Sequence, residues 1–132
     1  MLNLDEKSLA LTLSRFIATH KFIFLMNFAM FFIAILRYGM WQKVVMAAFF
    51  IYVLYLHIRL SFDAFIMEDL SQERFEIQKF DSSLRALRLV KNMRPADMKS
   101  RCKGATWLYK KLVFASAFYL LLGLILDMRY AY

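Results

Sequence analysis

Three long runs of the chain contain no charged side chain, and they constrain the fold more than any other feature. The runs are FIFLMNFAMFFIAIL from Phe22 to Leu36, VVMAAFFIYVLYL from Val44 to Leu56 and LVFASAFYLLLGLIL from Leu112 to Leu126. A chain of 132 residues is too small to bury three helices that are apolar all round in a water-soluble core. The runs therefore predict three membrane-spanning helices.

The flanks of these runs must contribute to the spans, since a helix needs about 20 residues to cross a bilayer and the runs are shorter. Lys43 can snorkel to the interface, and Trp107 and Tyr109 suit an aromatic belt. A hydrophobic content of 61% with only three Gly and one Pro favours long helices over turn-rich structure. We expect an all-α integral membrane protein. The predicted transmembrane helices cover residues 22–38, 39–58 and 107–128.

Residues 1–21 precede the first predicted span. Leu9, Leu13 and Phe16 recur there at helical spacing among charged and polar residues, which is typical of an amphipathic helix lying along a membrane surface. Acidic residues close to the N-terminus, and the lack of a small-residue cleavage site before the first apolar run, do not fit a removable signal peptide. We expect an N-terminal cytoplasmic amphipathic segment.

Basic residues are distributed unevenly between the predicted spans. Three Lys or Arg precede the first span, two lie between the first and second, twelve lie between Arg59 and Lys111, and Arg129 follows the third. Alternate sides therefore carry fifteen and three bases. Under the positive-inside rule, the N-terminus and residues 59–106 face the cytoplasm, and the tail 129–132 lies outside. A bacterial inner membrane is the expected location.

The long middle segment, residues 59–106, is polar but keeps amphipathic-helical spacing. Asp81, followed by two serines, resembles an N-cap for a helix that runs to about Lys91. Arg94 and Pro95 are typical of the start of a further helix that continues into the third span. We expect the second and third membrane helices to extend into the cytoplasm as a helical bundle or hairpin.

Charge is sorted along this middle segment. Six acids against two bases lie between Asp63 and Asp81, whereas nine bases against Asp97 alone lie between Arg85 and Lys111. Antiparallel helices would place the two halves opposite each other, and the basic half also suits anionic lipid headgroups. A basic cytoplasmic flank follows from topology alone, so the net charge of +8 does not predict nucleic-acid binding.

A few polar or small residues stand out as candidate interaction or packing sites. Asn27 is the strongly polar residue deep in a span, where its amide needs a partner across a helix interface. Arg59 and Asp63 lie four residues apart on an apolar stripe and can pair with each other. His57 lies on a mostly small and polar face of the same helix. The third span contributes Ser116 and Gly123, which form a small-residue face.

His20 and His57 lie at similar depth at the predicted cytoplasmic rim, where a haem or a metal ion could bridge them. No Gly-rich phosphate loop, nucleophile elbow or zinc-ligand spacing occurs in the sequence. We expect Cys102, the single cysteine, to be a structural thiol. We therefore assign no catalytic, cofactor-binding or metal-binding residue from the sequence.

These features predict a small non-catalytic accessory or assembly subunit that docks onto a larger membrane protein or complex and touches anionic lipids on the cytoplasmic face. Phe and Met side chains supply adaptable contact area for such docking. A lipid-interacting or holin-like oligomer is the first alternative, and homo-oligomers remain open under both hypotheses. A haem- or metal-binding membrane subunit that uses His20 and His57 is the second.

Overall fold

The structure is a computed structural model that describes residues 2–74, 76–89 and 98–130. Within these ranges the chain forms helices joined by short turns, with no strand. The all-α class predicted from composition is confirmed. The helices are α1 (Leu4–Ala18), α2 (His20–Arg37), α3 (Met40–Ser71), α4 (Ile77–Ala86) and α5 (Met98–Tyr130).

Three stretches of helix in the described residues are long and apolar enough to cross a membrane, as the uncharged runs predicted. They lie within Leu4–Arg37, Met40–Ser71 and Met98–Arg129. With a rise of 1.5 Å per residue, the 32 residues of α3 extend about 48 Å, against the roughly 30 Å of hydrocarbon in a bilayer. The helices therefore exceed the predicted spans in length, while the membrane boundaries themselves stay predictions.

Local sequence explains where α1 begins and α2 ends. The Asn3 side chain accepts a hydrogen bond from the Glu6 amide at 2.8 Å, and the Glu6 carboxylate accepts one from the Asn3 amide at 3.1 Å. This reciprocal pair is a capping box, which satisfies amides that the first turn leaves free. At the far end of α2, Tyr38 turns to an extended conformation, with ψ at 157°, and the helix stops before Gly39.

The chain divides into two compact units, and the second of them holds the apolar runs. Unit 2 comprises Thr19–Leu60 and Leu108–Tyr132, so α2 packs there with the first part of α3 and the last part of α5. Residue numbers rise together in the pairs that join α2 to α5 and run in opposite directions in those that join α2 to α3. Hence α2 and α5 run parallel, with α3 antiparallel to α2. The pairs are Thr19 with Tyr109, Asn27 with Ser116 and Arg37 with Asp127, then His20 with His57 and Phe31 with Phe50.

Unit 1 comprises Met1–Ala18 and Ser61–Trp107 and contains most of the charged residues. Two ion pairs hold α1 to the end of α3 and the turn after it. Lys7 Nζ lies 2.7 Å from Glu73 Oε1, and Arg15 Nη2 lies 3.5 Å from Glu68 Oε1. Acidic residues that follow the second apolar run therefore form ion pairs with basic residues of α1. The sorting of charge within residues 59–106 did not indicate α1 as their partner.

Within unit 1, α4 is attached to α5 through Arg101. Its guanidinium pairs with the Asp81 carboxylate and lies 5.7 Å from the centre of the Phe80 ring. The predicted N-cap role of Asp81 is therefore wrong, because α4 begins four residues earlier, at Ile77, and Asp81 lies inside it. The Asp81 carboxylate, which the prediction assigned to backbone amides at a helix start, instead forms an ion pair with Arg101 on α5. The predicted helix start at Arg94 and Pro95 lies outside the described residues.

Candidate functional site: a buried polar cluster in unit 2

Four polar side chains meet in the interior of unit 2, and we call them the polar cluster. His20 and Asn27 come from α2, His57 from α3 and Ser116 from α5. All four are buried, with Asn27 fully inaccessible to solvent. Because each of the three helices contributes at least one member, the cluster joins the whole bundle through polar contacts.

The members form one continuous hydrogen-bonded chain. The Nδ1 atoms of His20 and His57 lie 3.2 Å apart. On the other side of the second ring, His57 Nε2 lies 3.3 Å from Asn27 Nδ2. The Asn27 amide nitrogen also donates to Ser116 Oγ at 2.8 Å. The chain therefore runs from the start of α2 to its middle, about 10 Å along the helix axis for seven residues.

Two proton arrangements satisfy the contact between the imidazoles. When His57 Nδ1 donates to His20 Nδ1, His57 Nε2 is a lone-pair acceptor for the Asn27 NH₂ group. When His20 donates instead, His57 carries its proton on Nε2 and needs an acceptor there. A half-turn of the Asn27 amide supplies that acceptor, since its oxygen and nitrogen are nearly equal in shape. The cluster can thus exchange tautomers without losing the bond between the rings.

An aromatic side chain, Phe24, packs against the imidazole pair. The rings of Phe24 and His57 pack edge to face, with their centroids 5.1 Å apart and their planes inclined by 81°. The two imidazole centroids are 5.3 Å apart and inclined by 47°. In so apolar a setting a hydrogen bond is electrostatically stronger than in water, and a polar group without a partner is costly.

Two buried polar atoms of unit 2 near the middle of the bundle have no hydrogen-bond partner among the described residues. They are Asn27 Oδ1 and the Tyr119 hydroxyl. Tyr119 follows Ser116 by one helical turn of α5, is fully buried and lies against Phe50, with ring centroids 6.3 Å apart. A desolvated donor or acceptor without a partner typically costs about 1 to 3 kcal/mol. The half-turn of the Asn27 amide described above would give its oxygen a partner in His57.

The far end of the same bundle is joined by a second set of contacts. Tyr38 donates its hydroxyl hydrogen to the Gly123 carbonyl oxygen at 2.5 Å. Arg37 lies 3.3 Å from Asp127, at a more exposed position. These contacts join α2 and α5 at the end opposite His20, so both ends of the parallel pair are held.

The structure brings together four of the residues singled out in the sequence. His20, Asn27, His57 and Ser116 form the polar cluster, and Gly123 lies on the same helix as Ser116 at the second contact between α2 and α5. Arg59 is exposed, and one of its Nη atoms donates to the Tyr55 hydroxyl at 3.3 Å. The pairing of Arg59 with Asp63 stays a prediction.

Sequence reasoning missed three participants: Tyr38, Tyr119 and Met30, whose side chain lies against Gly123 of α5. Tyr38 follows the first uncharged run and directly precedes Gly39, so its hydroxyl could have been suspected of reaching back to a neighbouring helix. Met30 and Tyr119 carry no comparable signal, because an apolar or aromatic residue in a span is expected at almost any rotation of the helix.

The described residues contain no group of three or more His, Cys, Asp or Glu side chains that could hold a metal ion. Cys102 is a buried free thiol in unit 1. Fold and cluster together define a small all-α protein whose three long apolar helices fit an integral membrane protein. In comparisons with known proteins, no family model, no curated protein and no solved structure matches the chain.

Proposed function

We propose that this protein is a small non-catalytic accessory or assembly subunit that docks onto a larger membrane protein through the outward faces of its helices. The observation that carries the proposal is how polar and apolar side chains are sorted in unit 2. The polar side chains in the middle of α2 and α5 turn inward and pair, while the outward faces present large apolar groups. Phe114 is 79% exposed, Phe22 73% and Ile51 66%.

Aromatic and Met side chains make this outward surface suited to a protein partner as well as to lipid. Exposed Phe32, Phe118 and Met26 supply broad, adaptable contact area, the residue types that are enriched at protein interfaces. Trp41, at the start of α3, is 78% exposed and suits an aromatic belt at the membrane edge. The internal polar cluster joins the helices that present this surface without contributing to the surface itself.

The same proposal places the protein in a bacterial inner membrane with the N-terminus in the cytoplasm and the C-terminus outside. Support comes from the fifteen-to-three distribution of basic residues and from the helix directions in unit 2, since three crossings put the two termini on opposite sides. The parts of α3 and α5 in unit 1 then extend into the cytoplasm as the charged hairpin, together with α4.

Anionic lipids are the second proposed partner. Lys99 and Lys103 are exposed in unit 1, and Lys110 and Lys111 are exposed in unit 2, all on α5. Near an anionic surface each base contributes about 1 kcal/mol, and the contribution falls off within a Debye length. This attraction would orient the protein before it docks. Nucleic acid is not a proposed partner.

Site-specific photo-crosslinking tests the docking proposal. A photoreactive phenylalanine analogue replaces Phe114, which faces outward, or Leu112, which is fully buried two residues earlier on the same helix and serves as the matched control. The chain is expressed at native level and irradiated in intact membranes. We expect position 114, and not 112, to yield one reproducible adduct with a larger membrane protein.

Two results would overturn the docking proposal. Adducts with lipid alone at position 114 would contradict docking onto a protein. A ladder of adducts between copies of this chain would instead indicate the holin-like oligomer, which should also form detergent-resistant oligomers and be toxic on overexpression. The Asn27 side chain is not a docking contact, because it is buried, whereas exposed Arg59 is available for one.

A further inference from the structure

The separation of the two facing imidazole nitrogens matches that of two ligands on one metal ion. Two nitrogens that each lie about 2.0 to 2.1 Å from a tetrahedral Zn²⁺ ion are about 3.3 to 3.4 Å apart. The Nδ1 atoms of His20 and His57 are 3.2 Å apart. We infer that His20 and His57 bind one transition-metal ion of the imidazole-preferring class, with Zn²⁺ as its representative, through their Nδ1 atoms.

The ligand set selects the class of ion. Asp127 is the only Asp or Glu in the sequence of unit 2, and it pairs with Arg37 at the opposite end of α2. The histidine pair therefore offers two nitrogens and no oxygen anion. Hard ions such as Mg²⁺ and Ca²⁺ need several oxygen ligands, whereas Zn²⁺, Cu²⁺ and Ni²⁺ accept imidazole. Two protein ligands leave further coordination positions for small ligands such as water.

Haem does not fit the same pair as it stands. The two axial imidazoles of a bis-histidine haem lie on opposite faces of the porphyrin, and rings in hydrogen-bond contact leave no space for a macrocycle between them. A single ion needs only a small outward movement of the facing nitrogens. The geometry therefore favours a metal ion over haem among the two ligands suggested by these histidines.

Metal binding requires a defined proton arrangement. Both Nδ1 lone pairs must point at the ion, so each neutral ring keeps its single proton on Nε2. The ring that donates from Nδ1 in the metal-free pair moves that proton to its own Nε2. The exchange is a tautomer change with no net release of a proton, and the hydrogen bond between the two rings is replaced by two metal–nitrogen bonds.

Asn27 is a positioning residue for this site. With its amide oxygen turned toward His57, Asn27 accepts a hydrogen bond from Nε2–H, and Ser116 can donate to the same oxygen. A ligating histidine almost always donates its other ring hydrogen in this way, which sets its tautomer and orientation. Loss of such a partner typically weakens metal binding by about 10 to 100-fold. The buried amide next to His57 is thus the second element of the site.

The test uses the full chain with a non-histidine affinity tag, purified in mild detergent and titrated with Zn²⁺ and with Co²⁺ as a spectroscopic probe. We expect one ion per chain and Co²⁺ absorption bands of a nitrogen-ligated site. His20→Phe and His57→Phe should each abolish stoichiometric binding, and Asn27→Leu should weaken it about 10 to 100-fold. Cys102→Ser is the matched control, because it removes the single thiol of the chain and should bind like the wild type.

Several results would overturn the metal site. Wild-type protein that binds no more tightly than the His20→Phe/His57→Phe double variant would do so, as would loss of binding in Cys102→Ser. Circular dichroism identifies variants that fail to fold. If a variant fails to fold, the test uses the electron paramagnetic resonance spectrum of Cu²⁺-loaded wild type in its place. Nitrogen hyperfine splitting from two imidazoles supports the site, and the absence of this splitting contradicts it. The readouts use the isolated chain, so they are independent of docking.

Discussion

The side chain of Met30 on α2 occupies the position where a β-carbon would stand on Gly123 of α5. A β-carbon there would collide with the Met30 terminal methyl group and would lie 2.9 Å from its sulfur. Gly123 also presents its carbonyl oxygen to Tyr38 at this point. The two helices thus approach closely because one of them has no side chain here, which is the usual role of glycine between membrane helices.

Enlarging Gly123 should therefore destabilise the bundle. Gly123→Leu should lower the free energy of unfolding by about 1 to 3 kcal/mol, because overpacking forces neighbouring side chains and backbone to shift. Gly123→Ala should cost less, since the flexible end of Met30 can move. The measurement is reversible unfolding in mixed micelles as the fraction of denaturing detergent rises.

Gly104 provides the control for this substitution, because it lies in the same helix and a β-carbon added there would meet no atom within 4 Å. Gly104→Ala should raise stability by about 0.4 to 1 kcal/mol through the lower entropy of the unfolded chain. Equal effects of alanine at 104 and leucine at 123 would show that the contact with Met30 is not tight.

The hydrogen bond from Asn27 to Ser116 should be worth a measurable coupling energy. Asn27→Leu, Ser116→Ala and the double variant form a cycle, and we expect a coupling of about 0.6 to 1.7 kcal/mol. Asn27→Leu alone should cost more than Ser116→Ala alone, because it also removes the contact with His57. A coupling energy near zero would contradict the geometry of the cluster.

Loss of the hydroxyl group should change the free energy of unfolding differently at Tyr38 and at Tyr119, the two buried tyrosines of the bundle. Tyr38→Phe removes a hydrogen bond to the Gly123 carbonyl and should lower the free energy of unfolding by about 0.5 to 1.5 kcal/mol. Tyr119→Phe removes a hydroxyl that has no partner among the described residues and should leave stability unchanged or raise it by up to about 1 kcal/mol. Similar losses at both positions would mean that the Tyr119 hydroxyl makes a bond.

In unit 1, the ion pair between Asp81 and Arg101 should hold α4 in place. Both side chains are largely buried, at 18% and 15% exposure. Asp81→Asn should lower the free energy for local opening of α4 by about 1 to 3 kcal/mol, since it leaves a buried charge unpaired. Amide hydrogen exchange across α4 measures this opening.

Glu76→Gln is the matched control in the same segment. Glu76 lies 3.6 Å from Lys79 with both side chains exposed, at 68% and 77%. An exposed pair contributes about 0 to 1 kcal/mol, so exchange should hardly change. A larger effect at Glu76 than at Asp81 would contradict the role assigned to Arg101.

The long apolar helices could be predicted from the sequence because Phe22 to Leu36 and the two other runs contain no charged residue. Helices that are apolar on all sides fit a membrane better than the core of so small a protein. The need of Asn27 for a partner was equally predictable, since an isolated amide in a span must bond. Which groups it meets depends on how each helix is rotated and shifted against the others. That register is set by many weak contacts, such as the one between Met30 and Gly123, and local patterns do not record it.

Two expectations illustrate where local reasoning fails. Asp81 has the serines that suit an N-cap, yet its carboxylate pairs with Arg101 from a helix some twenty residues later, so a tertiary contact outweighs the local motif. The capping box at Asn3 was overlooked although both its residues are visible in the sequence. His20 and His57 were placed at similar depth, but depth alone does not bring two rings within bonding distance.

The most direct measurement of the docking role is the mass of the untagged protein in gently solubilised native membranes. Blue native electrophoresis with an antibody against the chain, followed by mass spectrometry of the band, gives both mass and composition. We expect the chain of 15.7 kDa to migrate in a much larger band that contains a second membrane protein in fixed proportion. Migration as a monomer, or as an oligomer of this chain alone, would contradict the proposed role.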